Sequence, residues 1–112
     1  MQVQIHSTGI CGSDLHYYSE GRNGDFAVRA PLCLGHESAG MISAIGPEVT
    51  THKVGDRVAL EVGMACLKCE FCVVGRYNIC SEMLFKSSAK TFPHADGTLS
   101  EYMNHPARLC HM

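Results

Sequence analysis

At 112 residues, 46% of them hydrophobic and 18% charged, the chain is long enough for one small domain with a modest core. A formal net charge of -2, with neither a basic face nor an acidic tail, argues against nucleic acid as a partner, and no run approaches the roughly twenty apolar residues of a membrane span. No charged start is followed by a long apolar run, and the cysteine count is odd, so the expectation is a soluble, cytoplasmic chain in a reducing compartment.

Directly after Met1 the run QVQIH alternates as a half-buried strand does, predicting a strand over Val3–His6, as though the chain begins already inside a sheet. A helical turn is expected over Ser13–Ser19 with Ser13 as N-cap. Further strands are expected over Gly40–Ile45 and Arg57–Val62, with a weaker one near Leu99–Asn104. Turns fall at Gly46-Pro47-Glu48 and Val54-Gly55-Asp56, and one more helical turn is expected near Glu70–Gly75, closed by the glycine. The end, HPARLCHM, has no helix, cap or tail, so the sequence is expected to be a segment of something longer. Repeats and linkers are absent, and short β-rich runs between turn residues predict a single, mainly β domain.

The densest chemistry lies in ACLKCEFCVVGRYNIC, where Cys66, Cys69, Cys72 and Cys80 follow the spacing C-x2-C-x2-C-x7-C. Four thiolates at such spacing can close a tetrahedron around one ion with no position left for water or substrate, which is the donor set of structural zinc. An iron-sulfur site and disulfides are the alternatives. Ferredoxin-like runs share the C-x2-C-x2-C opening, but their fourth cysteine comes after three residues and precedes proline, whereas Ser81 follows Cys80 here. Cys33 and Cys110 read as small, buried or partly exposed thiols.

A second constellation is dispersed over CGSDLHYY, residues 11 to 18, and LGHE, residues 34 to 37. A catalytic zinc needs a thiolate, an imidazole and usually a third ligand, with one place open; Cys11, His36 and Glu37 supply those groups. Gly12 and Gly35 would let the backbone bend closely around the ion. Asp14 suits the carboxylate that takes the other ring N–H of His36 and fixes its tautomer. Ser13 offers a hydroxyl able to take an alcohol proton, and His16 a route for it towards solvent. Taken singly, each has a plainer reading: Ser13 as a helix cap, Asp14 as a first-turn acid, His16 as a surface imidazole.

GHESAGMISAIGPEV, residues 35 to 49, resembles the zinc-containing alcohol dehydrogenase signature G-H-E-x2-G-x5-G-x2-V. With CGSDLH before it and VGDRVALE and the four-cysteine loop after it, the order is similar to the N-terminal catalytic domain of medium-chain dehydrogenases over essentially the whole chain. CGSDLHYY, CEFCVVGRYN, DGTLSEY, the NHPA run and the 25-residue separation of Cys11 from His36 are most similar to fungal sorbitol, xylitol and other polyol dehydrogenases. The resemblance implies a GroES-like, partly open β-barrel with short helices, truncated at both ends within residues 1–112, and a structural-zinc lobe over about 63–82. It also implies one catalytic zinc on Cys11, His36 and Glu37, one structural zinc on the four-cysteine loop, and a polyol pocket lined by Ser13, Tyr17, Phe85 and Ser88. Tyr17 and Phe85 could equally be core aromatics.

The implied reaction is oxidation of a secondary alcohol of a polyol to a ketose, with hydride passing to NAD, in a homo-oligomeric family. No G-x-G-x-x-G turn of a dinucleotide-binding domain occurs in these residues, so no Rossmann domain and no cofactor site are expected in this chain, and the isolated chain is expected to be inactive. The rival function is a zinc-stabilised structural or interaction module that keeps the scaffold without catalysis.

Overall fold

The computed structural model describes residues 1–112. In chain order the elements are β1 (Gln2–Gly9), α1 (Gly12–Glu20), β2 (Arg22–Asn23), β3 (Phe26–Ala27), β4 (Glu37–Ala44), β5 (Arg57–Leu60), β6 (Gly63–Met64), α2 (Glu70–Val73), β7 (Leu84–Phe85), β8 (Tyr102–Asn104) and β9 (Cys110–His111). Single 3-10 turns cover Tyr77–Ile79 and Ala107–Leu109. Five strands form one antiparallel sheet in the order β8-β1-β4-β5-β9, while β2 pairs with β3 and β6 with β7 as small separate ribbons. The mainly β class therefore holds, with the sheet open at both edges.

Alternation builds the core. Val3 on β1, Ile42 on β4, Val58 and Leu60 on β5 and Cys110 on β9 point to one face and form the buried cluster, with Met1, Ile5 and Met103 packed at its rim. Burying each such aliphatic side chain contributes about 1.5–3 kcal/mol.

The register of β1 against β4 then slips between Ile5 and Ser7, leaving His6 as the extra residue of a bulge. The slip reverses the alternation. Beyond it the inward residue is Thr8, which meets Ser38 and Thr98 in a hydroxyl cluster instead of an apolar one. One end of the sheet is thus a greasy core, and the other is a polar floor beneath Cys11 and His36.

Several boundaries differ from the sequence reading; β1 runs on to Gly9, past the expected His6, and β5 stops at Leu60, short of the expected Val62. Helix α1 is capped at Cys11, two residues before Ser13, because the Asp14 carboxylate reaches back to accept the Cys11 N–H at 3.0 Å. β4 runs Glu37–Ala44 where Gly40–Ile45 was expected, so Glu37 is the first residue of the strand. The expected strand near Leu99 is shortened to Tyr102–Asn104, because the N–H groups of Thr98 and Leu99 turn aside to the carbonyls of Gly35 and Leu34. The turn near Glu70–Gly75 forms as expected: α2 ends at Val73 and Gly75 (φ 81°) closes it in the left-handed region, its N–H donating to the Cys72 carbonyl and that of Arg76 to the Phe71 carbonyl. The two-residue strands were beyond the reach of any alternation pattern.

Candidate metal centres and substrate cavity

The four-cysteine lobe leaves the body of the fold after β6 and returns on β7, whose pairing (Gly63 with Phe85, Met64 with Leu84) closes its stem. All seven cysteines are free thiols, and within the lobe the Sγ atoms of Cys69 and Cys72 are 3.5 Å apart, Cys69 and Cys80 3.9 Å, and Cys66 and Cys72 4.0 Å. These separations exclude S–S bonds of about 2.05 Å. They bracket the edge of roughly 3.8 Å expected when four sulfurs sit about 2.3 Å from one zinc, and a tetrahedron that tight holds one ion, not a multi-iron cluster.

The backbone supports thiolates: Cys66 N–H donates to Cys80 Sγ and Cys69 N–H to Cys66 Sγ, each at 3.3 Å. Backbone N–H groups of Cys72 and Ser81 lower the Cys69 thiol to about 6, against the opposing effect of burial. Burial, then hydrogen bonding with the Cys69 and Cys80 sulfurs, pushes Cys72 up to about 12. Without a cation the cluster resists a second negative charge; a divalent ion would remove that penalty.

The second centre is assembled from three pieces of chain. Cys11 caps α1, His36 ends the loop before β4, and Glu37 opens β4; one ligand atom from each lies within 4.8 Å of the others. His36 is 10% exposed in its side chain, while Glu37 is open to solvent. Glu37 is aligned with Gly9 across the sheet, and its carboxylate lies over that glycine: a Cβ on Gly9 would stand 2.6 Å from Glu37 Oε2. Gly35 is held at φ 91°, where a Cβ would meet Thr8 Cγ2 at 2.7 Å, so only glycine fits this approach to His36. Gly12, by contrast, has open space around it, and nothing there requires glycine.

Asp14 joins these pieces. It is 2% exposed; Oδ2 accepts the Cys11 N–H, and Oδ1 accepts the Gly35 N–H at 3.1 Å and the Ser87 hydroxyl at 2.9 Å. Burial alone would raise its pKa, but the hydrogen bonds from Cys11, Gly35 and Ser87, then the His36 ring, together hold it below the ordinary carboxylate value.

His36 Nδ1 lies 3.4 Å from Asp14 Oδ1, outside a well-aligned hydrogen bond, and has no other partner. A ring nitrogen buried against a carboxylate leaves Nε2 as the ligand atom. That is the arrangement of a metal-binding histidine, and the donor set fits zinc.

Beside this centre, Ser13, Tyr17, Phe85 and Ser88 line one cavity of about 210 Å³ together with Asn23, Phe26, Ser87 and Lys90. Phe85 stands edge-on to the His36 ring with centroids 5.4 Å apart, and the buried Tyr17 accepts the Ala89 N–H on its phenolic oxygen at 3.1 Å. His16 is not drawn in; it is exposed on α1 and pairs with Glu20 at 3.1 Å. Cys33 and Cys110 stand apart from both centres, the first half-buried against the carbonyls of Leu34 and Leu99, the second in the apolar core.

Sequence reasoning missed Ser87, whose only hint was its place between Phe85 and Ser88. It also missed Asp96, whose carboxylate accepts the Cys33 N–H at 2.9 Å and braces the loop before His36; its DGT context was the available signal.

Fold and donor sets together define the catalytic-domain class of zinc-type dehydrogenases. Comparison with known families makes this specific: the description "Alcohol dehydrogenase GroES-like domain" matches residues 1–112, and the chain belongs to that family. It is 50% identical over 109 residues to a probable D-xylulose reductase A of Aspergillus terreus, covering 97% of this chain and 30% of that protein. It is 49% identical over the same length to D-xylulose reductase A of Aspergillus oryzae, covering 97% of this chain and 29% of that protein. Among solved structures, L-idonate 5-dehydrogenase of Escherichia coli matches with a TM-score of 0.92 and 39% identity, over 97% of this chain and 31% of that one. The chain therefore spans about 30% of the length of the relatives it matches. No helix is long and apolar enough to cross a membrane.

Proposed function

We propose that residues 1–112 form the zinc- and substrate-binding portion of a cytoplasmic polyol dehydrogenase that interconverts a secondary alcohol of a sugar alcohol and the corresponding ketose, with NAD as hydride acceptor. The observation that carries this reading is the convergence of Cys11, His36 and Glu37 beside the cavity holding Ser13, Tyr17, Phe85 and Ser88. The half-identity to D-xylulose reductases supports the substrate class. A scaffold without catalysis would need only the four-cysteine lobe.

Cys11, His36 and Glu37 would hold the catalytic zinc, which when bound polarises the alcohol oxygen and lowers the pKa of its hydroxyl. Cys66, Cys69, Cys72 and Cys80 would hold the structural ion and fasten the lobe. Ser13, which lines the cavity, accepts the alcohol proton in this reading. His16, on the exposed side of the same helix, serves as the outlet through solvent. Tyr17 keeps its own O–H free to donate to a substrate hydroxyl, because its oxygen is used only as an acceptor for Ala89. Phe85 shields the edge of His36 and narrows the cavity on that side. The hydride acceptor itself would be bound by a partner domain of the family, in a homo-oligomeric enzyme.

A chimera tests this reading. Residues 1–112 replace the matching segment of the Aspergillus oryzae D-xylulose reductase, and NADH formation is followed with xylitol and sorbitol. Polyol-dependent turnover that disappears in the His36→Ala chimera is the expected result. A folded, zinc-loaded chimera with no turnover, or turnover surviving His36→Ala, overturns it.

A further inference from the structure

Ser87 is 3% exposed and sits at φ 59°, a conformation that costs a non-glycine residue about 1–3 kcal/mol. Glycine would adopt it freely, so the serine side chain must contribute something that glycine lacks. Its hydroxyl donates to Asp14 Oδ1 at 2.9 Å, inside the protein. The same oxygen receives the Gly35 N–H at 3.1 Å and faces His36 Nδ1 at 3.4 Å. Two donors and the His36 ring nitrogen thus converge on one oxygen. The Ser87 hydroxyl joins the Cys11 and Gly35 N–H groups in holding the carboxylate that faces the His36 ring.

Ser87 is also part of the cavity wall. Two residues before it, Phe85 packs on the His36 ring; two residues after it, the Ala89 N–H is held by Tyr17. Ser87 itself lines the cavity with Ser88. The segment from Phe85 to Ala89 therefore touches the machinery on α1 and the His36 loop at three points, and the Ser87 contact alone joins a buried hydroxyl to a buried carboxylate.

We propose that Ser87 is a positioning residue for the catalytic metal centre: through Asp14 it orients the His36 ring and registers the substrate wall against the metal ligands. The inference rests on the reading of Cys11, His36 and Glu37 as metal ligands. It adds a residue that touches neither metal nor reacting atoms.

The test is Co2+ titration of the 112-residue chain, following visible absorption. The His36→Ala variant identifies which band and which binding step belong to the Cys11–His36–Glu37 centre. Two substitutions, Ser87→Gly and Ser87→Ala, both remove the hydroxyl, but only the glycine relaxes the left-handed backbone, so the pair separates loss of the hydroxyl from backbone strain. Both should weaken Co2+ at that centre roughly tenfold, the lower end of the effect seen when partners of metal ligands are removed, and shift its band while leaving the four-cysteine step unchanged. Parental affinity and spectrum in Ser87→Gly overturn the proposal, and so does a loss confined to Ser87→Ala, which would trace to backbone strain. If the parent chain takes Co2+ only in the lobe, the ligand reading itself has failed, a result separable from failure at Ser87.

Discussion

The two candidate metal centres of this chain are built in opposite ways. In the lobe, four donors of one kind come from a fifteen-residue span, their sulfurs 3.5–4.0 Å apart, and no side of the tetrahedron is left for a substrate. In the other centre, three donors of different kinds come from a helix cap, a loop and a strand, beside a cavity of about 210 Å³. The lobe's geometry is local, so an ion there would mainly supply stability. The dispersed centre depends on the whole fold to bring its parts together, so an ion there would be available for chemistry.

The widest separation between the two should come from breaking the lobe. With 19 of 112 residues buried, the apolar core is thin, and the lobe's stem continues directly into the cavity wall at Phe85. Cys69→Ser is expected to release the lobe's metal and lower the melting temperature by more than about 10 °C, since roughly 4–8 °C accompanies each kcal/mol in a domain near this size. An unchanged melting curve would show that the lobe is not a staple.

Asp14→Ala should act on both properties at once. It strands the Cys11 and Gly35 N–H groups and the Ser87 hydroxyl, at a cost of roughly 2–4 kcal/mol, and loosens the orientation of His36. Chemical denaturation checks the stability and zinc competition checks the affinity. Loss of stability with unaltered zinc affinity would place Asp14 in the fold only.

A smaller effect comes from a histidine outside both centres. His105 is 3% exposed; its Nε2 donates to the Glu61 carbonyl at 2.9 Å, and Nδ1 is buried without a partner. Burial lowers its pKa, opposed by the Glu61 hydrogen bond and assisted by the nearby positive charges of Lys86, the N-terminus and Arg108. The native state therefore keeps the ring neutral, while the unfolded chain takes up a proton as pH falls through about 6.5. Stability present above that value is lost on acidification towards the lower native pKa. His105→Gln, which keeps a donor for Glu61, should flatten the fall in melting temperature between pH 7.5 and 5.5 relative to the parent. Equal slopes in the two proteins would count against it.

The same contrast governs what could be read from the sequence. The lobe was legible because its ligands are close in the chain and of one residue type. The candidate trio was legible as residue types, with His36 and Glu37 inside the family signature and Cys11 in the CGSDLH run before it, and the main strands followed from alternation at Val3, Ile42 and Val58. What escaped were contacts made only in three dimensions. The bulge at His6 turns Thr8 inward, and nothing in a single strand announces it. Ser87 meets Asp14 across 73 residues, and the Thr98 and Leu99 amides go to the His36 loop instead of a sheet. Ser13 was misplaced as a cap for the same reason: Asp14 supplies the capping carboxylate, leaving the serine to the cavity.

The central claim is that one ion closes the lobe and a second sits on Cys11, His36 and Glu37. Zinc content per folded chain tests it most directly, measured on the parent and on His36→Ala. The account predicts about two zinc ions in the parent and about one in His36→Ala, with the melting temperature changed by only a few degrees. One zinc in the parent, or two retained after His36→Ala, would contradict it.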